Sequence, residues 1–509
     1  MLREPLHHQF VRIAKQYQNK LAIIDRGLQR RFTYSRALTA SLLLADRLKP
    51  LDDTFVGVML PTSAGAAIVE LALLMGGKIP VFLNYATGVQ ANVEYARKKV
   101  GFEKVITAKG LLEKLKAPML DGFVYVEDLL HNVTIVDKAK AALRASLSAE
   151  RILSRFPDSD IGTPAAVLFT AGSESEPKAV PLTHRNIIAN LEALSQIYPF
   201  EPGSIMLASL PLFHVFGLTV NLWLPFRFGM TIVSYVNPMD YKTICTIIRE
   251  EKPTYLVGTP SLLRGYLHHS QPGDFTSLQL IVTGADKCPD SLRKAYQERH
   301  GVPVYEGYGT TETSPIIAVN TPDRYRLGSV GCVLPNLALR VTRDDTNTEC
   351  ATGEVGKILV KGESVFSGYF NDVEATARSF RDGWYDTGDM GYLDPDGFLW
   401  HVGRVRRFVK IGGEMVSLTH VEEVLERLLP ADTSCCVVEV PDATRGSTIV
   451  AAVTRPIDHR GILQQMAKEL PTIALPKRFV VLEDLPKMAS GKTDFKRITE
   501  HVQEITKRF

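Results

Sequence analysis

Four short stretches of the chain hold the residue types that phosphate and acyl chemistry require. From Val167 to Ile187 the sequence reads VLFTAGSESEPKAVPLTHRNI. An apolar strand signal ends near Phe169, small residues including Thr170, Gly172 and Ser173 follow, then Lys178, then a helix expected to start near Thr183. Such a loop presents backbone N–H groups to an anion, and a lysine adds a point charge for phosphate. The second stretch, YEGYGTTETSP from Tyr305 to Pro315, gathers an aromatic ring (Tyr308), Gly309, two hydroxyls (Thr310, Thr311) and a carboxylate (Glu312). Hydroxyls can hold a phosphate or carboxylate, and Glu312 can hold a hard cation such as Mg2+. The third runs from Gly383 to Leu418. Its Asp389 can accept two hydrogen bonds from a ribose diol, and its Arg404 supplies a fixed fork of donors. Asp386, Asp394 and Asp396 read as turn formers. The fourth, LPKMASGKTDFKRI, sets Lys492 on a glycine-containing loop near the C-terminus. Taken singly, each stretch also reads as an ordinary turn or solvated surface.

The elements that must position these residues follow from hydrophobic patterning. Apolar runs such as Phe55–Leu60, Ile79–Asn84, Thr254–Thr259 and Leu278–Gly284 alternate with longer helix-like stretches. That alternation indicates an α/β architecture with mostly parallel strands. After about residue 325 short strands joined by Gly, Asp and Pro turns suggest a smaller β-rich subdomain over about 326–403. Beyond Arg404 helix and strand signals form an α+β unit of about a hundred residues. The expected division is therefore 1–403 and 404–509, with a hinge near Arg404–Arg407.

Composition narrows the function class. A chain of 509 residues exceeds one ordinary core. The net charge is only +3, which argues against a dedicated nucleic-acid binder. From Arg404 onward 17 Lys/Arg stand against 14 Asp/Glu, so the whole excess lies in the last fifth. Six cysteines without a CxxC pair form neither a disulfide framework nor a zinc site, and suit a reducing, cytoplasmic setting. The N-terminus lacks the apolar core of a signal peptide. Ile205–Pro225 carries no Asp, Glu, Lys or Arg, yet Pro211, His214, Gly217 and Pro225 interrupt it, so it reads as a buried core segment. The lack of spans leaves room for peripheral membrane contact.

The order and spacing of the four stretches resemble the adenylate-forming superfamily of acyl-CoA synthetases, peptide-synthetase adenylation domains and firefly luciferase. The resemblance runs from about residue 30 to about residue 498. It implies a large N-terminal domain of two α/β sheet subdomains plus a β-rich subdomain, and a small mobile C-terminal α+β domain. It implies ATP and Mg2+ as cofactors. Thr170, Gly172, Ser173 and Lys178 would cover the β- and γ-phosphates. Tyr308 would stack on adenine beside the Gly284-Ala285 backbone, with Gly309 and Thr310 alongside. Thr311 would meet the α-phosphate and substrate carboxylate, Glu312 the Mg2+, and His214 would gate the acyl carboxylate. Asp389 and Arg404 match the ribose pair, and Lys492 the lysine of the adenylation step. Arg406 falls at the hinge, where relatives carry Asp or Lys, and Gly413 faces the thiol tunnel. The phosphate loop departs from the family pattern at Ala171, Ser175 and Ala179, and places Glu174 and Glu176 where phosphate binds. Glu174, the LPLFHVFGL and RRFVKIGGEMVSL segments and Asp494 look closest to the acyl-acyl-carrier-protein synthetase domain of the bacterial enzyme that reacylates lysophosphatidylethanolamine. The implied partners are a fatty acid and acyl carrier protein, with CoA as the alternative acceptor. A catalytically impaired binding homologue is the reading from another class.

Overall fold

Buried runs of Val, Ile, Leu and Ala become the strands of two parallel-centred sheets, as expected where helices cover both faces. The computed structural model describes residues 3–86, 88–170, 177–343, 346–404, 407–411, 414–430, 433–442, 446–487 and 493–506. One sheet has nine strands in the order Cys332–Val333, Ile316–Val319, Val304–Gly309, Leu280–Thr283, Tyr255–Gly258, Ile205–Ala208, Thr231–Ser234, Leu21–Asp25, Arg30–Thr33. Its pairings are parallel from Val304–Gly309 to Leu21–Asp25 and antiparallel outside them. The other has six strands: Phe123–Tyr125, Val105–Thr107, Phe55–Met59, Ile79–Phe82, Pro164–Thr170 and Lys178–Thr183. All its pairings are parallel except the last.

That last strand corrects one expectation. The sequence reading takes the chain from a loop through Lys178 to a helix starting near Thr183, with no strand assigned between them. Instead Lys178–Thr183 returns antiparallel along Pro164–Thr170, with Thr170 opposite Lys178. Ala179, Val180 and Leu182 are fully buried there, and an edge strand tolerates Pro181. The helix His184–Ile197 starts where expected, capped by the Thr183 hydroxyl, which accepts from Asn186 N at 3.1 Å.

The charge-free segment is buried, as its composition suggests. It comprises the strand Ile205–Ala208, the wide helical turns Gly217–Trp223 and the first residues of the short helix Leu224–Arg227. Among the described residues no helix is long and apolar enough to cross a membrane.

Two compact units emerge. One takes in the described residues of Met1–Ala171, Pro177–Ala338 and Lys361–Phe380; the second includes those of Leu339–Val360 and Arg381–Phe509. In the second unit Gly356–Gly362 pairs antiparallel with Trp384–Leu393, which pairs with Leu399–Arg404. The C-terminal part holds a three-stranded sheet, Cys435–Asp442, Gly446–Val453 and Arg478–Val481. Period-two alternation along Gly446–Val453 explains its layering. Ile449 and Ala451 pack with Val421, Leu425 and Met466, while Val450 and Ala452 pack with Ile498 and Val502. Helices Leu418–Leu428 and His459–Met466 thus cover one face and Phe495–Thr506 the other.

Candidate active site

The turn after Val304–Gly309 is fixed from several directions. A buried ion pair between Glu306 and Arg293 ties the strand to the helix Asp290–His300. At Gly309 a Cβ would lie 1.8 Å from Pro315 O, so only glycine permits the close approach. Thr310 N donates to Pro315 O at 3.0 Å, and the Thr313 hydroxyl donates to the same oxygen at 2.6 Å. Asn190, fully buried in His184–Ile197, donates to Ile316 O at 2.8 Å. The result leaves Thr311 half-buried and Glu312 buried.

Glu312 is held by residues far along the chain. Phe366 N donates to Glu312 O at 2.8 Å, and the Tyr369 hydroxyl donates to Glu312 Oε1 at 2.8 Å. Lys178 Nζ lies 4.5 Å from the centroid of the Tyr369 ring. The structure thus brings Lys178 and Glu312 to one aromatic side chain. Phe370 N donates to Ala179 O at 2.9 Å, and the Ser314 hydroxyl to Ser364 O at 2.9 Å. Asn186 Nδ2 donates to Glu363 O at 2.7 Å. These bonds strap 363–370 across both motifs.

A second convergence lies at the sheet's carboxyl edge, where open α/β sheets bind ligands. A Cβ on Gly284 would lie 3.1 Å from Gly307 O and 3.9 Å from Phe216 Cε1. Ala285 carries φ 72°, a conformation costly for a residue with a Cβ. Tyr308 is half-buried in the adjoining strand. Over residues 206–227 every residue is buried except His214 and Phe216, two positions apart. His214 N donates to Pro211 O at 3.1 Å, His214 O accepts from Leu218 N at 2.9 Å, and the Phe213 ring lies 4.6 Å from its imidazole.

In the second unit, Asp389 and Arg404 are direct partners on the antiparallel ladder. Arg404 Nε sits 3.4 Å from Asp389 Oδ1 and His401 Nε2 sits 3.7 Å from it. The Asp389 carboxylate is buried while Arg404 is exposed. Gly172, Ser173, Arg406, Gly413 and Lys492 lie outside the described residues. Sequence reading missed Tyr369, Asn190, Phe216 and His401. The first two act through long-range hydrogen bonds that leave no local pattern, whereas Phe216 was within reach as the aromatic two residues after His214.

The donor set fits Mg2+. Thr311 and Glu312 offer hard oxygens, and among the described residues no group of three His, Cys, Asp or Glu could cage a metal. A cation held by one carboxylate together with substrate phosphates is the usual arrangement for Mg2+.

Known families agree with this geometry. The model described as AMP-binding enzyme matches residues 10–370, and that described as AMP-binding enzyme C-terminal domain matches 420–492. The chain belongs to the AMP-binding enzyme family. This AMP-binding enzyme is 30% identical to a long-chain-fatty-acid–CoA ligase of Bacillus subtilis (strain 168), over 96% of this chain and 93% of that one. It is 32% identical to an indoleacetate–CoA ligase of Aromatoleum aromaticum, over 73% and 74%. Its fold matches ATP-bound MatB from Rhodopseudomonas palustris with a TM-score of 0.85 at 24% identity, covering 98% and 99% of the two chains. It also matches o-succinylbenzoate CoA synthetase (MenE) from Bacillus subtilis in complex with its acyl-adenylate, with a TM-score of 0.82 at 24% identity over 97% and 98%. The AMP-binding enzyme is accordingly an ATP- and Mg2+-dependent acid–thiol ligase of the adenylate-forming superfamily.

Proposed function

We propose that this enzyme activates a long-chain fatty acid as its acyl-adenylate and transfers the acyl group to a phosphopantetheine thiol, that of CoA or of acyl carrier protein. The observation that carries the reading is the Thr311–Glu312 turn, preset by Tyr369, in a chain 30% identical over nearly its whole length to a fatty-acid–CoA ligase.

A carboxylate is a poor electrophile. In the first step its oxygen attacks the α-phosphorus of ATP, the bond to the bridging oxygen breaks, and pyrophosphate leaves with the electron pair. Lys178 and the residues from Thr170 through Gly172 and Ser173 hold the outer phosphates. Tyr308, with Gly309 and Thr310, and the Gly284-Ala285 backbone seat the adenine. Asp389 and Arg404 hold the ribose. Thr311 orients the α-phosphate and the acid, and His214 with Phe216 lines the acid's entry. Glu312 would hold Mg2+, whose charge, when bound, offsets that on the phosphates. Lys492 stabilises charge developing on the attacked phosphate, a type of contact worth about a hundredfold or more in rate. In the second step the thiol sulfur attacks the acyl carbon, the mixed anhydride opens, AMP leaves, and the thiol proton passes to solvent. Rotation at Arg406 would carry Lys492 away and bring Gly413 to the thiol path. On this reading the functional domains are 1–403 and 404–509.

Carrier protein as acceptor is supported by Glu174 and the RRFVKIGGEMVSL segment, with exposed Lys477, Arg478, Lys487 and Lys496 suited to an acidic partner. Asp494 supports it less than its sequence suggests. Its Oδ1 accepts from Arg497 N at 3.1 Å, so it caps the helix Phe495–Thr506. Arg404, Arg407 and Arg497 likewise contact Asp389, Glu422 and Asp494. The six cysteines, none in a disulfide, accord with a cytoplasmic setting.

The test is product formation from ATP, Mg2+ and a long-chain fatty acid, with CoA and holo carrier protein in parallel. Acyl-CoA in excess assigns CoA as acceptor; acyl-carrier protein in excess assigns the carrier. Release of no AMP across several acids would refute ligase activity and point to a binding homologue.

A further inference from the structure

We propose that Tyr369 is a positioning residue that keeps Lys178 and Glu312 apart and preset for the ATP–Mg2+ pair. The proposal rests on the ligase reading above and assigns a role to a residue outside the four motifs.

One side chain meets both charges, each by a different part. Its hydroxyl donates to Glu312 Oε1 at 2.8 Å, and its ring carries the Lys178 ammonium 4.5 Å from the centroid. Among the described residues no ion pair joins Lys178 to Glu312. Opposite charges close together in a partly buried site would otherwise collapse onto one another. Such a pair would neutralise the cation meant for phosphate and occupy the carboxylate meant for a metal. The ring prevents this while satisfying both groups. Donation of the O–H to a carboxylate also enriches the ring in electron density, which strengthens its attraction for the lysine.

Tyr369 is itself fixed. It is buried, the Phe366 ring meets it edge-on at 4.9 Å, and Tyr369 N donates to Thr376 Oγ1 at 2.9 Å. The neighbouring Phe366 N and Phe370 N bond Glu312 O and Ala179 O, each beside one of the two charges. The strap 363–370 therefore spans the strand bearing Lys178 and the turn bearing Glu312, and Tyr369 lies between them.

Two variants separate the hydroxyl from the ring. Tyr369→Phe keeps the platform for Lys178 and drops the bond to Glu312. Tyr369→Leu removes both. ATP binding to the full chain is measured by titration calorimetry in EDTA and again in Mg2+, with thermal unfolding of each variant recorded alongside. For Tyr369→Phe the expected result is unchanged ATP affinity in EDTA and about tenfold less tightening by Mg2+, in line with a lost charge-assisted hydrogen bond. For Tyr369→Leu affinity should also fall in EDTA, by roughly fivefold or more, as expected for a lost cation–π contact and a masked lysine. The Glu312→Gln variant should make the further change Tyr369→Phe nearly silent in Mg2+. Parent-like binding by Tyr369→Phe in both buffers overturns the proposal and leaves the ligase reading intact. So does equal weakening by the Phe variant with and without Mg2+, or a lowered unfolding temperature with unchanged binding by the Leu variant. A parent chain that binds no ATP in either buffer overturns both.

Discussion

Replacing His184 by Asn should remove a built-in sensitivity to acid. The helix Leu6–Gln16 docks through His7 and His8 onto His184 and Phe156, with His7 5.5 Å from His184 and 5.8 Å from Phe156 between ring centroids. His184 Nδ1 accepts from Leu6 N at 3.2 Å. Burial, with His8 adding to it, pushes the His184 imidazole down from 6.5 to about 3. Burial likewise lowers His7, with His184 and His8 contributing. Burial lowers His8 too, where Glu4 opposes and Arg12 assists. The folded pKa of His184 is depressed, so the unfolded chain binds more protons between the two values. Its contribution to stability is complete above pH 6.5 and is lost as pH falls toward 3. At pH 5 the unfolded imidazole is 1.5 units inside its charged range, which at about 1.4 kcal/mol per unit is about 2 kcal/mol. Asn offers an oxygen to Leu6 N but does not titrate. At pH 7.5 His184→Asn should cost about 1–3 kcal/mol in lost packing. At pH 5 the gap to the parent should narrow or reverse by about 2 kcal/mol. Urea unfolding followed by intrinsic fluorescence at both pH values reads the difference. An identical gap at pH 5 and pH 7.5 would refute the assignment of His184 as a buried neutral imidazole.

Three further outcomes are expected. Gly309→Ala forces a methyl toward Pro315 O, 1.8 Å from the ideal Cβ, and should cut AMP release about a hundredfold, with circular dichroism reporting whether the fold survives. Lys492→Ala should nearly abolish adenylation yet leave thiolysis of a preformed acyl-adenylate largely intact; equal loss of both half-reactions in single-turnover assays would exclude its assigned role. Asp494→Ala should cost about 1 kcal/mol of stability through loss of the helix cap, while the ratio of acyl-CoA to acyl-carrier protein stays unchanged. A shifted ratio would restore Asp494 as a marker of the acceptor.

The strands were legible because burial on both faces demands apolar runs, and Phe55–Met59, Tyr255–Gly258 and Leu280–Thr283 emerge within a residue or two of where those runs lie. The buried setting of Gly217–Trp223 was legible for the same reason, whereas its wide-turn helical form was not. Lys178–Thr183 was not, since a lysine, a proline and a threonine break the apolar signal of a strand whose identity depends on Pro164–Thr170 beside it. The motif residues Tyr308, Thr311 and Glu312 were found by type and spacing. Tyr369 and Asn190 were invisible because their meaning is the partner each reaches, Glu312 and Ile316 O, more than fifty positions away in the chain. Asp494 illustrates the converse: its identity invited a functional reading, and its hydrogen bond to Arg497 N supplies a structural one.

The pairing of Thr170 with Lys178 ties the proposed phosphate contact to the core of the sheet. The two ends of the segment proposed for phosphate are set by a ladder in which Ala166, Leu168, Ala179 and Val180 are buried. Substitutions at those four positions would therefore reach the lysine through the register of the sheet rather than through its charge.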